Sequence, residues 1–208
     1  MVSADSFVDY IAADVPDCPN MVIRRAVTLA AQDFFRETGL WVEECDVTNS
    51  TPGDPNVELE IPSNTIIGAV KDLAVNGRHV EPITPEDVND SDWMTRAVPG
   101  TAVRGYWVSG TRSIRLYPIL TEAAQIAAFV AVVPSETCIS FGDIAQQYFQ
   151  AIVHGAKWKL QAAPGQPYSN ADLAVYNNKE FHRITGDAKI RARRSGTAQL
   201  RVNLRGVT

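Results

Sequence analysis

The sequence predicts an α+β protein in which helices from both ends of the chain form a bundle, with an antiparallel β domain inserted between them. Apolar side chains recur at helical spacings of three and four in residues 19–38 and 143–194. Apolar and polar residues instead alternate through much of the intervening chain. We therefore predict a helical bundle domain at 1–39 and 143–194, a β-rich domain at 40–142, and an extended C-terminal arm at 195–208.

The helix at residues 19–38 has the clearest boundary signals. Pro19 has the backbone dihedral of a first helical turn, and Gly39 can adopt the left-handed conformation that ends a helix. The predicted apolar stripe between them consists of Ile23, Ala26, Val27, Ala30 and Phe34.

Period-two alternation begins after Gly39 and indicates antiparallel sheet. Asn76-Gly77 suits a type I′ hairpin turn, and Gly110-Thr111 is the expected turn between two later strands. Residues 126–133 are almost continuously apolar, so we expect both faces of that strand to be covered.

The second helical part is predicted to begin at Asp143, to run to residue 162, and to resume after a cap at Asn170. Gly155 lies inside the first of these helices, where it costs about 1 kcal/mol relative to Ala, which suggests that another helix approaches closely. The last helix should bury Ala171, Ala174, Phe181, Ile184 and Ala188.

The composition is that of an ordinary globular protein. The chain has 208 residues, of which 45% are apolar and 21% charged, enough for one core or for a core with an inserted subdomain. No apolar run is long enough for a membrane span, and the first residues do not resemble a signal peptide, so we expect synthesis in the cytoplasm and no membrane partner. Three widely spaced cysteines favour neither a disulfide framework nor a zinc site.

Charge is distributed unevenly along the chain. Residues 1–60 contain twelve acids and three bases, whereas residues 188–208 contain six bases and no acid. A head-to-tail contact between copies could use this polarity. The six bases are Lys189, Arg191, Arg193, Arg194, Arg201 and Arg205.

The C-terminal segment alternates Leu200, Val202 and Leu204 with Arg201 and Arg205, which predicts an extended strand. Such a strand leaves an open edge, and we expect another chain to complete it. The preceding bases could bind phosphate, favour a helix C-terminus, or meet an acidic partner surface, and the sequence leaves these three roles open.

Motifs for catalysis and cofactor binding are missing. The chain has no GxSxG nucleophile turn and no glycine-rich phosphate loop, so we predict neither an enzyme nor a cofactor. An acid–base role for His154 with His182 is conceivable, but structural roles are favoured. No metal is predicted either, since two acidic groups are better interpreted as solvated carboxylates, namely Glu43, Glu44 and Asp46, and Asp87, Asp90 and Asp92.

Four tryptophans suggest an alternative function. Together they could form an aromatic platform for a carbohydrate or for single-stranded nucleic acid, built on the β domain. Packing in a core or an interface is the favoured interpretation of Trp41, Trp93, Trp107 and Trp158.

The chain resembles the head-to-tail adaptor, or connector, proteins of tailed bacteriophages. Four segments that together span most of the chain carry the resemblance: VPDCPNMVIRRAVTLAAQDFFRETGLW at 15–41, VELEIP at 57–62, IRLYP at 114–118, and QQYFQAIVHGAKWKLQAAPGQPYSNADLAVYNNKEFHRI at 146–184. The likeness is one of pattern and order rather than of an invariant motif.

The resemblance implies a structural virion protein in the neck between head and tail. Such a protein forms a homo-oligomeric ring, expected to be dodecameric, beneath the portal, contacts a tail or nozzle protein, and extends the channel for genomic DNA without sequence-specific binding. On this basis residues 191–208 would contact the portal. The expected portal- or partner-binding residues are Arg191, Arg193, Arg194, Leu200, Arg201, Val202, Leu204 and Arg205.

Overall fold

The structure is a computed structural model that describes the backbone of residues 1–87 and 102–203 and the side chains of residues 1–86 and 102–193. The described residues form five helices and three sheets, so the predicted α+β class is confirmed. The chain divides into two compact units. Unit 1 comprises Met1–Trp41 and Val133–Thr208, and unit 2 comprises Val42–Val132.

All five helices belong to unit 1. They are α1 (Asp5–Ala12), α2 (Asn20–Thr38), α3 (Ile144–Gln147), α4 (Phe149–Gln161) and α5 (Ala171–Asn203). Helices α2, α4 and α5 pack against one another, and α1 packs on α2 and α4. The strands are β1 (Val2–Ser3), β2 (Val42–Asn49), β3 (Asn56–Glu58), β4 (Thr65–Val75), β5 (Arg78–His79), β6 (Gly105–Val108), β7 (Ser113–Tyr117), β8 (Gln125–Pro134) and β9 (Ser140–Phe141).

Helix α2 has the predicted ends to within one residue. Pro19 flanks it with a φ of −62°, and the helix begins at Asn20. Gly39 has a φ of 59° and its N–H donates to the carbonyl of Phe35 at 2.8 Å, which confirms the predicted left-handed cap. The predicted stripe is buried throughout.

The helix predicted to start at Asp143 is interrupted. Tyr148 leaves helical geometry, with a φ of −111° and a ψ of 26°, and separates α3 from α4. The rings at the break are anchored, since Tyr148 packs 5.1 Å from Phe34 and Phe149 stacks 4.4 Å from Phe7. This aromatic packing overrides the helical pattern of the sequence locally.

Helix α5 begins as predicted, because the side chain of Asn170 accepts a hydrogen bond from the Leu173 N–H at 3.1 Å. Its buried stripe differs from the prediction at two positions, since Ala171 is exposed and Ile184 only half-buried. The stripe instead includes two polar residues. It consists of Ala174, Asn177, Phe181, Thr185 and Ala188.

The predicted extended arm is corrected by the structure. Helix α5 continues to Asn203, so the backbone of residues 195–203 is helical and not extended. A helix satisfies its backbone N–H and C=O groups internally, whereas a lone strand needs a partner for the same groups. A five-residue alternation does not outweigh that difference. The last part of the predicted arm, residues 204–208, lies outside the described residues.

Unit 2 contains a sheet in the order β2-β8-β4-β5 and a second sheet in the order β3-β7-β6. Asn76 and Gly77 have φ values of 50° and 74° and join β4 to β5, with Val75 opposite Arg78. The predicted hairpin is thereby confirmed.

Strand β8 is covered only in part. Ala127 and Phe129 are exposed between buried neighbours, whereas residues 130–134 are buried without interruption. The expectation of two covered faces is correct for the second half of the strand alone.

Candidate partner-binding site

A buried polar network fixes the start of α5 against α4. Asn177, only 5% exposed, donates to the side-chain oxygen of Gln161 at 2.8 Å and to the carbonyl of Leu173 at 2.9 Å. Its own oxygen lies 2.7 Å from Nδ1 of His154. Because an amide oxygen only accepts, His154 donates through Nδ1. The main-chain oxygen of Gln161 also accepts the Asn170 N–H at 3.0 Å, so the turn between the helices is held as well.

Close packing also holds α4 against α5 and α2. A Cβ placed on Gly155 would lie 2.8 Å from the Phe181 ring and 2.9 Å from Cβ of Ala30, which confirms the predicted packing role of this glycine. Two lysines of α4 form ion pairs. Lys157 pairs with Asp14, and the Lys159 ammonium lies 2.6 Å from the Asp33 carboxylate. Helix α4 is therefore held between α2 and α5 and packs directly on α5.

The backbone of helix α5 extends over 33 residues, about 50 Å of helix. Among the residues whose side chains are described, up to residue 193, the last buried position of α5 is Ala188. Lys189, Arg191 and Arg193 are exposed, and no acid occurs between residues 188 and 208. The helix therefore presents a basic C-terminal part.

Before this basic part, Arg183 on the exposed side of α5 is paired with two carboxylates. Arg183 donates to Glu180 at 2.8 Å and to Asp187 at 3.5 Å. The hydrogen bond from Arg183 lowers the pKa of Glu180 below its ordinary value. From Ala171 to Asp187 the helix has three acids, Asp172, Glu180 and Asp187, against the two bases Lys179 and Arg183, so excess positive charge begins only after Asp187.

Gly186, Lys189, Ile190 and Arg193 follow the helical spacing i, i+3, i+4, i+7 on the side of α5 away from the buried stripe, and we call them the α5 outer stripe. Ile190 is 51% exposed. A Cβ placed on Gly186 would meet no atom within 4 Å, in contrast to Gly155. Gly186 therefore has no packing reason within the described part of the chain.

A second exposed surface lies in unit 2, on strands β2 and β8. Glu44 is directly opposite Phe129 in the antiparallel ladder, and Val42 is opposite Ala131. Phe129 and Val42 are each 44% exposed, and Glu44 and Asp46 are also exposed. We call Val42, Glu44, Asp46 and Phe129 the acidic β2–β8 face. Among the described residues, β2 is the end strand of its sheet.

The model of the SU10 adaptor protein family matches residues 3–203. The chain belongs to the SU10 adaptor protein family. The family consists of structural phage adaptors and is not a class of enzymes, so this protein is a phage adaptor and a virion component. The resemblance drawn from the sequence is confirmed at the level of a phage adaptor. No match was found among curated proteins.

Six of the eight residues that the sequence predicts to bind the portal in this SU10-family adaptor lie on the C-terminal part of α5. Arg191 and Arg193 are exposed on α5. The backbone of Arg194, Leu200, Arg201 and Val202 continues the same helix, and their side chains lie outside the described residues, as do Leu204 and Arg205 altogether. At least six of the eight residues thus share one helix instead of a strand.

The histidines of the adaptor have packing and hydrogen-bonding contacts. His154 is engaged by Asn177, and the His182 ring lies 5.8 Å from Trp158 and 5.3 Å from Phe181. His79 Nδ1 lies 2.6 Å from the Asp72 carboxylate on the β4–β5 hairpin. Each of the three histidines thus has a packing or hydrogen-bonding neighbour.

The structure places one of the two acidic groups considered as metal ligands on β2. Glu43, Glu44 and Asp46 follow one another on β2. The described residues contain no group of three His, Cys, Asp or Glu side chains placed to hold an ion. Asp90 and Asp92, with the Asp87 side chain, lie outside the described residues. Among the helices that the structure describes, none is both long enough and apolar enough to cross a bilayer.

The tryptophans have separate surroundings. Trp41 is buried against Phe35, and Trp158 packs against Phe181 and His182. Trp107 on β6 is half-buried, with the guanidinium of Arg115 5.7 Å from its ring centre. Trp93 lies outside the described residues.

Sequence reasoning did not single out Gly186, Ile190 and Phe129. The sequence shows two glycines in the predicted helices of unit 1, Gly155 and Gly186, but not which of them is packed. Likewise, Phe129 lies in an apolar run that gives no sign of which positions are exposed. The spacing of Gly186, Lys189, Ile190 and Arg193 was the one available signal.

Proposed function

We propose that this adaptor is a subunit of a homo-oligomeric ring, dodecameric in the assembled virion, that joins the portal to the tail. The ring extends the channel through which genomic DNA passes, and its place is the neck between head and tail. The family match over residues 3–203 carries the proposal. The exposed side chains of Lys189, Arg191 and Arg193 on α5 support it, because they offer a charged surface to a partner.

The portal contact is assigned to residues 191–208. This segment holds five bases and no acid, and its first bases are exposed on a helix supported by α4. A basic helix end fits an acidic groove or surface on the portal, where desolvated Arg side chains bind carboxylates in two-pronged geometry. Residues of this segment that are helical in the free chain dock as a helix, with apolar and basic side chains both in contact.

Unit 2 is assigned to the tail side, where a tail or nozzle protein binds. The net charge of −5 favours a channel that genomic DNA passes without binding, because a negatively charged chain repels the phosphate backbone. No cofactor enters this function.

The test is electron microscopy of the adaptor mixed with the portal protein of the same phage. We expect a ring stacked on the portal with the full chain, and loss of the stack when residues 195–208 are removed. A stack that forms equally well without them would exclude the segment from the mechanism. Circular dichroism of the shortened chain checks that α2, α4 and α5 remain folded.

A charge variant separates the segment's charge from its length. Arg201→Glu with Arg205→Glu reverses two bases that the truncation removes, and should weaken portal binding. Lys179→Glu reverses an exposed base on the same helix, outside the segment, and should leave binding unchanged.

The contact of Arg115 with Trp107 favours a second candidate function, a carbohydrate- or nucleic-acid-binding module on unit 2. Titration with oligosaccharides and with oligonucleotides should then change tryptophan fluorescence, and the Trp107→Phe variant should lose that change. Fluorescence that stays constant through both titrations would remove this candidate.

A further inference from the structure

We infer that the α5 outer stripe of one adaptor copy packs on the acidic β2–β8 face of a second copy, and that this contact links neighbours around the ring. The inference rests on the proposed ring and names the two surfaces that form it. Both surfaces combine an exposed apolar side chain with charge, and the charges are of opposite sign.

Gly186 is the first reason to expect something against the stripe. Ala is the better helix former, and an exposed helix position gains from it. A Cβ at position 186 would meet nothing within 4 Å, so no contact within the described chain requires a glycine there. At Gly155, by contrast, Phe181 and Ala30 fill the space that a Cβ would take. A neighbour whose backbone approaches α5 at Gly186 accounts for the difference.

The side chains around Gly186 define what that neighbour must offer. Lys189 and Ile190 lie one turn further on, at i+3 and i+4, and Arg193 continues the same side at i+7. Ile190 is 51% exposed and would be covered by an apolar side chain, and the exposed Lys189 would be paired by a carboxylate. The partner surface is therefore an acidic one with an apolar centre.

The acidic β2–β8 face has these properties. Phe129, 44% exposed, is the apolar centre, and Glu44 lies directly opposite it on β2, with the two Cβ atoms about 5 Å apart. The exposed Asp46 adds a second carboxylate along β2, and the exposed Val42 adds apolar surface. We pair Ile190 with Phe129 and Lys189 with Glu44. A second copy of the chain is the occupant because it carries both complementary surfaces, so the contact repeats head to tail.

The contact predicts a disulfide between chains. In a Cys18→Ser background, which removes the most accessible native thiol, the double variant Phe129→Cys with Ile190→Cys is assembled on the portal and oxidised. We expect a ladder of covalently linked chains, and no ladder from either single variant. A disulfide within one chain, or no disulfide in rings that still form, would overturn the inference and leave the ring itself standing.

Charge exchange tests the same contact without cysteines. Glu44→Lys and Lys189→Glu should each reduce ring formation at least tenfold, and the two together in one chain should restore it. Lys179→Glu is the matched control, since it reverses an exposed base on the same helix about 15 Å away. If the double variant is no better than the single ones, the pairing is wrong.

Gly186→Ala separates partner contact from helix stability. The variant should raise the melting temperature of the free chain and yet weaken ring formation. A higher melting temperature with unchanged assembly would overturn the close approach at Gly186. If no ring forms on the portal, sedimentation of the free chain over a concentration series shows whether copies associate at all. Absence of self-association in that series would refute both this contact and the proposed function. A portal-bound single copy would refute the contact alone.

Discussion

Gly155 on α4 lies so close to Phe181 on α5 that a Cβ at position 155 would come within 2.8 Å of the Phe181 ring. Phe181 is fully buried, and Ala30 of α2 closes the same space at 2.9 Å from that Cβ. Three helices thus meet at a position where only a hydrogen atom fits. This contact decides how near α4 can come to its neighbours.

The variant Gly155→Ala should therefore destabilise the protein although it improves helix propensity. Overpacking a core site costs about 1–3 kcal/mol, and replacing Gly by Ala in a helix gains about 1 kcal/mol in helix propensity. Because the site is closed by backbone-anchored groups on two sides, the cost should lie in the upper part of its range and exceed the gain. Thermal unfolding measures the difference. Gly186→Ala is the matched control and should raise the melting temperature, and equal shifts in the two variants would contradict this account.

Replacing Asn177 by Ala should reduce the free energy of unfolding by about 1–3 kcal/mol. The change leaves the Gln161 side chain, 1% exposed, without its hydrogen-bond donor, and a buried unsatisfied polar group is costly. Urea unfolding followed by circular dichroism measures the loss.

Asn178→Ala is the control for that change. The Asn178 Oδ1 is buried without a hydrogen-bond partner in the described structure, so its removal should cost little or nothing. A larger loss from Asn178→Ala than from Asn177→Ala would show that the network is not what stabilises this end of α5.

Gly39→Ala should cost about 1–2 kcal/mol, because Gly39 has a φ of 59° and a side chain is strained in that conformation. Gly39→Asn keeps a residue that tolerates the left-handed region and should cost clearly less. The melting temperatures of the two variants give the comparison. Equal losses would indicate that steric contact, not backbone strain, sets the cost.

The thiols should react slowly and in a defined order. Burial raises the pKa of Cys45 and Cys138, and burial also raises the pKa of Cys18 while a hydrogen bond with Tyr168 partly opposes it. The thiolate is the reactive form, so a raised pKa lowers the reaction rate at a given pH. At pH 8 we expect a thiol reagent to label Cys18 first, and Cys45 and Cys138 only after unfolding.

Stability should also depend on pH through these thiols. A raised pKa means that the folded state favours the neutral thiol. The stabilising contribution of the neutral thiols is fully present below the ordinary thiol pKa of 9.0. The free energy of unfolding then falls as the pH rises from 9.0 through the raised pKa of the folded state. Cys45→Ala with Cys138→Ala should flatten this dependence in urea unfolding between pH 8 and 10. An unchanged slope would assign it to other groups.

Features governed by local geometry were predictable from the sequence. Gly39 and the Asn76-Gly77 turn need positive φ values that few residues adopt, and Asn170 offers a side-chain oxygen just before a helix. Such signals do not depend on what packs nearby. The family resemblance, carried by the order of several segments, also identified a phage adaptor.

Features governed by packing were not predictable. The break at Tyr148 depends on contacts with Phe34, which lies far away in the sequence. Asn177 is buried because His154 and Gln161 satisfy its side chain, and no helical periodicity of apolar residues shows that. The strand predicted at 200–204 failed because a short alternation fits a helix as well, and a helix supplies its own hydrogen bonds.

The pairing of Val42 with Ala131 bears on how the chain folds during synthesis. These residues lie at the two ends of unit 2 and are neighbours in one antiparallel ladder, about 5 Å apart. Unit 2 is continuous in sequence, so it can fold while α4 and α5 are still to be translated, whereas α2 must wait for both. Once unit 2 has folded, the two ends of this 91-residue segment lie about one strand spacing apart. Most of the loop-closure entropy that joining the two parts of unit 1 would otherwise cost has then already been lost.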